Sequence, residues 1–274
     1  VCETVSLNGD PLPAIQTVVA SAELPVRGKR VAVQARRAEG PQAPRPDIVP
    51  LDVKKAVDEV LVRVHGAEPA VKDMEYIISV FLAKEEAYVG WSAPDENFSS
   101  WSGGAVHYRK EKGAVSRSRY KLMEAEEAFG LSFRRFRHAL DIGAAPGGWS
   151  SLLLERGVRV IAVDPAAMHP TLFRYKGFTH LRKNAAEVRF PEQTFDLLVC
   201  DMSWDPLHTA ELVRRQLPAV KDNGTVITTV KLFKGKPLAT VRKIAERMEP
   251  EAKLVKAKQL FHNREEVTCL WTRR

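Results

Sequence analysis

The sequence predicts an α/β protein with two domains, the larger of which contains a doubly wound, mostly parallel sheet. In the second half of the chain, apolar strand-like runs alternate with helix-like segments and short connections, which is typical of such sheets. A shorter series of strand and helix patterns fills the first hundred residues and predicts a smaller α/β domain. With 274 residues, the chain is long enough for both domains.

The smaller domain is predicted from a strand, a helix and a pair of strands. The strand Arg30–Arg36 alternates apolar and polar residues, as a half-buried strand does. Apolar residues at helical spacing predict an amphipathic helix over 53–64, capped by Asp52 and ended by Gly66. The paired strands, around a charged turn, are Tyr76–Leu82 and Ala87–Trp91.

Ser102-Gly103-Gly104 marks the predicted exit from the smaller domain. We therefore expect domains over 1–105 and 106–274. Whether residues 1–24 are the remainder of a further N-terminal segment stays open.

The larger domain is predicted from seven apolar runs and the helical patterns between them. Its candidate strands are 138–143, 159–164, 179–183, 196–201, 224–232, 253–260 and 267–272. Its candidate helices lie around Leu122–Phe129 and near 147–156, 206–218 and 238–248. The last two strands follow the final helix with only a loop between them, which predicts an antiparallel hairpin at one edge of the sheet.

Composition favours an anionic partner, with nucleic acid before membrane. The formal net charge is +8, and basic residues cluster in His107–Lys121, Arg134–His138 and Arg36–Arg37, with tyrosines in the first cluster. No apolar run has the length of a membrane span, and the chain shows no signal-peptide pattern. Three scattered cysteines, Cys2, Cys200 and Cys269, do not suggest a disulfide framework or a zinc site, so we expect a reducing, cytoplasmic location.

The segment Asp141–Trp149 indicates a nucleotide-cofactor site. Gly143, Pro146, Gly147 and Gly148 fall where a strand turns into a helix, and glycines there let the backbone approach a ligand. The spacing is not G-x-G-x-x-G, which disfavours a dinucleotide.

Polar residues end the successive strands around this loop. They are Asp141, Asp164, Asn184 and Asp201. Because ligands bind at the carboxyl ends of the strands in doubly wound sheets, we expect these side chains to surround the cofactor. Each acid taken alone is equally typical of a helix cap or a turn.

The second half of the chain, about residues 112–274, resembles the FtsJ-type ribose 2′-O-methyltransferases, whose cofactor motif is matched by Asp141–Trp149. The resemblance implies S-adenosylmethionine as cofactor. It also implies a set of cofactor-binding residues, with Asp164 on the ribose and Asn184 on the adenine. This set is Asp141, Gly143, Ala144, Pro146, Gly147, Gly148, Trp149, Asp164, Asn184 and Asp201.

The same resemblance implies a Lys-Asp-Lys-Glu catalytic tetrad that requires no metal. Its members are Lys121, Asp201, Lys231 and Glu266, with Glu265 as the alternative glutamate. A ribose hydroxyl must lose a proton to become a good nucleophile, and we assign Lys231 as the general base. Lys121 is expected to position the hydroxyl, while the two carboxylates orient the lysines.

The first half of the chain is similar to THUMP domains, which are RNA-binding modules of RNA-modifying enzymes. The similar pieces are the strand Arg27–Arg37, the helix at 53–64 and the hairpin ending at Ala87–Ser92. The combination of the two domains resembles the bacterial 23S rRNA cytidine 2′-O-methyltransferase family, which implies a ribosomal RNA substrate. Two alternatives stay open: a transfer RNA substrate, and a noncatalytic protein of the same fold that binds the cofactor or RNA.

Overall fold

A computed structural model describes residues 2–97, 99, 101, 106, 108, 113–232 and 237–274 of the chain. The chain forms two compact units, Val1–His107 and Tyr108–Arg274. The predicted exit at Ser102-Gly103-Gly104 lies outside the described residues.

The first unit contains a sheet and two helices. In chain order its elements are β1 (Cys2–Ser6), α1 (Pro11–Ser21), β2 (Arg30–Arg37), α2 (Pro50–His65), β3 (Glu68–Pro69), β4 (Tyr76–Leu82) and β5 (Glu86–Ser92), with 3-10 turns at Gly40–Gln42 and Pro94–Glu96. The five described strands have the order β1-β5-β4-β2-β3. Alternate residues of β2, such as Val31 and Val33, are fully buried in one core with Ile15 of α1 and Val57 of α2.

The strands predicted for this unit are confirmed, and the antiparallel pairing of β4 with β5 is as expected. Gly66 ends α2 in a left-handed conformation, also as predicted. The predicted cap at Asp52 is wrong, because α2 begins earlier, at Pro50, and Asp52 lies within its first turn. Proline suits this first position since it has no N–H to leave unbonded.

Residues 2–21 form two elements that the sequence pattern did not reveal. β1 pairs antiparallel with β5, and α1 packs against α2. The carboxylate of Asp10 accepts a hydrogen bond from Leu12 N (3.1 Å), and Pro11 is the first residue of α1. An Asp-Pro pair of this kind is a helix-start signal.

The second unit has a larger sheet. Its strands are β6 (His138–Ile142), β7 (Arg159–Val163), β8 (Phe178–Leu181), β9 (Phe195–Cys200), β10 (Val220–Lys231), β11 (Ala252–Lys258) and β12 (Glu266–Arg273). Its helices are α3 (Arg119–Ala128), α4 (Gly148–Glu155), α5 (Pro206–Gln216) and α6 (Pro237–Met248), with 3-10 turns at Phe133–Arg135, Pro170–Arg174, Ala185–Glu187 and Leu217–Ala219. All seven predicted strands are confirmed, and none of their ends differs from the prediction by more than four residues.

The strand order of this sheet is β11-β12-β10-β9-β6-β7-β8. The chain runs from β6 outward through β7 and β8, then returns to β9 on the other side of β6. The connections on the two sides of β6 therefore leave a crevice outside the carboxyl ends of β6 and β9, the usual binding position in such sheets. β12 pairs antiparallel with both β10 and β11, which confirms the predicted edge hairpin.

Cys200 and Cys269 are free and buried, and burial raises the pKa of each thiol to about 12. Within the described ranges, we find no helix with both the length and the apolar character needed to cross a membrane.

Replacement of Asp10 by Ala tests the cap of α1. We expect Asp10→Ala to lower the free energy of unfolding of the first unit by about 1 kcal/mol, because Leu12 N loses its acceptor. Urea denaturation measures the change, with the exposed Glu23→Ala as a control expected to stay near the wild-type value. Equal stability of Asp10→Ala and Glu23→Ala would contradict the cap.

Candidate active site

Two lysines and two carboxylates form one closed cluster in the second unit. Lys121 Nζ lies 2.6 Å from Asp201 Oδ2 and 2.8 Å from Glu266 Oε1. Lys231 Nζ lies 2.8 Å from Glu266 Oε2 and 3.4 Å from Asp201 Oδ1. Each lysine therefore contacts both carboxylates, and each carboxylate contacts both lysines.

The sheet positions three members of this cluster through backbone pairing. Lys231 ends β10 and Glu266 begins β12, and the two are direct cross-strand partners. Asp201 follows β9 immediately, and its neighbour Cys200 pairs with Thr228 of β10. Since β12 is antiparallel to β10, its first residue lies at the same sheet edge as the carboxyl ends of the parallel strands. Lys121 is the member contributed by a helix, α3.

Burial makes the contacts within the cluster strong. Lys231 and Glu266 are each only 7% exposed. Burial raises the pKa of Glu266, but hydrogen bonds from Lys121 and Lys231 outweigh this effect, so its pKa lies below the usual value. Glu266 is thus held as a carboxylate. Glu265, the alternative glutamate, is exposed and contributes its backbone oxygen to Leu232 N.

Thr229 also belongs to the cluster and was missed by the sequence analysis. Its hydroxyl donates a 2.8 Å hydrogen bond to Asp201 Oδ1. Thr229 precedes Lys231 by two residues in β10, and residues two apart point to the same side of a strand. That spacing was the available signal. This hydrogen bond helps to orient the Asp201 carboxylate, which contacts both lysines.

Glycine is required in the Asp141–Trp149 loop because neighbouring protein atoms leave no room for a Cβ atom. Gly143 and Gly147 have positive φ angles, of 68° and 109°. A Cβ atom on Gly143 would lie 2.2 Å from Met202 Cγ, and one on Gly148 would lie 2.2 Å from Ser118 Oγ. The absence of side chains therefore lets this loop pack closely against the residues after β9 and before α3.

The carboxylate of Asp164 lies at the carboxyl end of β7 and keeps acceptor capacity for a ligand. Asp164 directly follows β7, and its oxygens accept hydrogen bonds from Ala145 N (3.0 Å) and Ala166 N (2.8 Å). Each oxygen keeps a second lone pair. Asn184 lies after β8, where its side-chain oxygen accepts from Ala186 N (3.3 Å), so its amide nitrogen can donate to a ligand. Chemically, these groups fit the ribose and the base of a nucleoside cofactor.

Asp141 and Trp149 have surroundings that differ from those expected. Asp141 lies inside β6, 1% exposed, and accepts a 2.6 Å hydrogen bond from Ser150 Oγ of α4. Trp149 is 3% exposed and packs in a core cluster, with its indole Nε1 donating to Ser118 O (3.0 Å). Both side chains join the loop to the elements around it. Direct contact of either with the cofactor stays a prediction.

The basic clusters fall on different parts of the molecule. Residues 107 and 109–112 of the first cluster lie outside the described residues. Arg134–His138 leads into β6 and so lies at the sheet edge opposite the lysine–carboxylate cluster. Arg117 and Arg264 are exposed and lie close in sequence to Lys121 and Glu266, at the same edge as these residues. Trp204 is exposed near Asp201, with its ring 5.5 Å from that of His208.

This fold and site define an α/β domain in which groups that fit a nucleoside cofactor lie at the same sheet edge as a cluster of paired lysines and carboxylates. A family model described as FtsJ-like methyltransferase matches residues 114–271, and the chain belongs to this family. The second unit is thus an S-adenosylmethionine-dependent methyltransferase domain, which confirms the predicted cofactor.

Named relatives agree with the family. The chain is 36% identical over 171 residues to Ribosomal RNA large subunit methyltransferase M of Halorhodospira halophila. The aligned region covers 61% of this chain and 50% of the relative. It is 34% identical over 205 residues to the protein of the same name from Azotobacter vinelandii, covering 70% and 57%. The chain thus spans about half the length of the curated relatives it matches.

Among solved structures, one named as a hemolysin from Streptococcus thermophilus matches with a TM-score of 0.52 and 19% identity, covering 61% of this chain and 69% of that one. This likeness supports the fold alone.

Asp141 predicts a pH dependence of stability. Burial is the main cause that raises the pKa of Asp141 to about 7. The hydrogen bond from Ser150 lowers this pKa, and the nearby charge of Asp201 raises it further. The unfolded carboxyl ionises near pH 3.9, so the unfolded state releases its proton first as the pH rises. The folded state therefore loses stability between about pH 4 and pH 7 and loses no more above that range.

Asp141→Asn removes this titration while keeping an acceptor for Ser150. Relative to wild type, we expect the variant to gain unfolding free energy from about pH 4 to pH 7, by up to about 4 kcal/mol. Urea denaturation of both proteins across this range measures the difference. A difference that does not change with pH would contradict the raised pKa.

Proposed function

We propose that the protein is an S-adenosylmethionine-dependent RNA ribose 2′-O-methyltransferase in which Lys231 is the general base. The observation that carries this proposal is the closed cluster of Lys121, Asp201, Lys231 and Glu266 at the carboxyl edge of the sheet. A hydroxyl nucleophile needs a group that removes its proton and groups that fix its position, and the cluster offers both.

Each side chain has a distinct part in the proposed reaction. S-adenosylmethionine supplies an electrophilic methyl group and leaves as S-adenosylhomocysteine. Lys231 in its neutral form accepts the proton of the 2′-hydroxyl, and the oxygen forms the new bond to the methyl carbon. Lys121 donates hydrogen bonds to the same oxygen and stabilises its developing negative charge. Asp201 and Glu266 hold the side-chain nitrogen atoms of both lysines at fixed positions.

The residues around the crevice fit the cofactor. We propose that Asp164 accepts hydrogen bonds from its ribose hydroxyls and that Asn184 binds its adenine. The loop that contains Gly143, Ala144, Pro146 and Gly147 contacts Asp164 through Ala145 N. We propose that this loop, with Asp201, encloses the remainder of the cofactor.

The proposed substrate is ribosomal RNA of the large subunit. Support comes from the relatives named Ribosomal RNA large subunit methyltransferase M and from the net charge of +8. Mapping of 2′-O-methyl groups in ribosomal and transfer RNA from cells that lack the protein tests this choice. Loss of a ribose methyl group from transfer RNA alone would favour that alternative substrate, and loss of a base methyl group would contradict 2′-O chemistry.

The two units differ in charge, which bears on how they contact RNA. Residues 1–107 hold 11 basic and 15 acidic residues, a net charge of −4, whereas residues 108–274 hold 31 basic and 19 acidic residues, a net charge of +12. We propose that the first unit is a THUMP-like RNA-binding domain, on the sequence resemblance. Its acidic balance implies that attraction to phosphates comes from the methyltransferase unit.

Arginine substitutions separate a base from a purely electrostatic lysine. Arginine keeps the positive charge but does not give up its proton at any pH of interest. We therefore expect Lys231→Arg to lower kcat by at least about 100-fold. Lys121→Arg keeps the donor that the positioning role needs, so we expect a decrease nearer 10-fold. The measurement is transfer of labelled methyl groups to RNA.

Binding of S-adenosylhomocysteine serves as the control, and both variants should retain it. Lys231→Arg with kcat near that of wild type would exclude the base role of Lys231. A larger decrease of kcat in Lys121→Arg than in Lys231→Arg would mean that Lys121 is the base and Lys231 the positioning residue.

The charge at the active-site edge predicts the salt dependence of RNA binding. We expect the double variant Arg117→Gln/Arg264→Gln to reduce the slope of log K against log salt by about 0.7–0.9 for each phosphate that it no longer neutralises. The matched control is Arg134→Gln/Arg135→Gln, which removes the same charge from the opposite sheet edge. Equal weakening of binding by both double variants would mean that total charge, and not the active-site edge, attracts the RNA.

A further inference from the structure

Helix α3 carries Lys121 into the cluster without belonging to the sheet. Lys231, Glu266 and Asp201 are held by strand pairing, but no strand register fixes Lys121. On one side, α3 is attached to α4 by paired hydrogen bonds between Arg119 and Glu155 (3.0 and 2.7 Å). These contacts with α4 do not reach the segment that leads to Glu266.

Glu124 makes that second attachment. It lies one helical turn after Lys121 and is 5% exposed. Its Oε1 accepts a hydrogen bond from Phe261 N (2.7 Å), and its Oε2 accepts from His262 N (2.9 Å) and lies 2.8 Å from His262 Nδ1. One buried carboxylate thus binds three donors of the loop between β11 and β12.

The loop continues directly to Glu266. The side chain of Asn263 donates to Glu266 O (3.0 Å) and to Thr268 Oγ1 (3.0 Å), which ties the loop to the start of β12. The ring of His262 also lies near those of Tyr108 and Tyr120, at centroid distances of 5.3 and 5.6 Å. The contacts therefore form a closed path from Lys121 along α3 to Glu124, through the loop to Glu266, and back to Lys121.

We propose that Glu124 is a positioning residue of the methyl-transfer reaction, which holds the loop of Phe261–Asn263 so that Glu266 is aligned with Lys121. It acts through Glu266 and does not touch the substrate. The carboxylate is required for this role because it accepts all three hydrogen bonds at once, whereas an amide offers one acceptor and sets its own N–H groups against the loop donors. This proposal rests on the proposed function.

Glu124→Gln is the test variant, and Glu126→Gln is its matched control. Glu126 lies on the same helix and also accepts from a backbone N–H, that of Phe133 (2.8 Å), but its other partner is Arg156 and not the loop. We expect Glu124→Gln to lower kcat by about 10- to 100-fold, with KM for RNA and the affinity for S-adenosylhomocysteine nearly unchanged. Glu126→Gln should lose comparable stability and keep kcat within about two-fold of wild type.

A double-mutant cycle with Glu266→Gln distinguishes positioning from general destabilisation. If Glu124 acts through Glu266, Glu124→Gln costs little further kcat once Glu266 is altered, while Glu126→Gln adds its small effect independently. Full additivity of Glu124→Gln and Glu266→Gln, or an equal decrease of kcat in Glu124→Gln and Glu126→Gln, would overturn the proposal.

Hydrogen exchange tests the structural part without any activity. The amides of Phe261 and His262 should exchange faster in Glu124→Gln and at the wild-type rate in Glu126→Gln. Unchanged exchange at both amides would overturn the proposal. A wild-type protein without methyl transfer to RNA would instead contradict the proposed function, and the exchange result would still decide whether Glu124 holds the loop.

Discussion

The buried contacts among Lys121, Asp201, Lys231 and Glu266 are the constraint on which the rest of the second unit depends. Removal of charged groups from water costs several kcal/mol for each ion, and mutual attraction offsets this only when every member is present. Two ammonium groups and two carboxylates balance in charge, so removal of any one leaves an uncompensated buried ion. The fold must therefore deliver four side chains, from segments far apart in the chain, to one point.

Two different physical devices achieve this delivery. Pairing of β10 with β12 makes Lys231 and Glu266 neighbours, and the adjacent β9 brings Asp201 to the same edge. Lys121 comes from a helix, and helices have no register with a sheet. Its position depends on side-chain contacts, which include those of Arg119 with α4 and of Glu124 with the loop before β12. A single side-chain substitution can therefore shift the helix. It does not remove the backbone hydrogen bonds that fix the register of the strands.

The strands and their polar ends could be predicted because they follow local patterns. Apolar runs end at Asp164 and Asp201, and the carboxyl ends of parallel strands meet at one edge. The beginning of α2 was misplaced since Asp52 resembles a cap, although Pro50 is the better first residue. Glu124 was missed for a different reason: its partners lie 137 and 138 residues away, so no local pattern distinguishes it from a solvated helix glutamate.

The division of charge between the units limits how RNA can approach the proposed site. The cluster itself is close to neutral, so it exerts little attraction on phosphates at a distance. Attraction must come from exposed cations such as Arg117 and Arg264, within the unit whose net charge is +12. The first unit, at −4, contributes little long-range attraction, so we expect its contacts with RNA to depend mainly on short-range hydrogen bonds or stacking. Such contacts carry sequence and shape information, whereas phosphate contacts do not, so in the proposed enzyme the methyltransferase unit supplies affinity and the first unit is the place to seek selectivity.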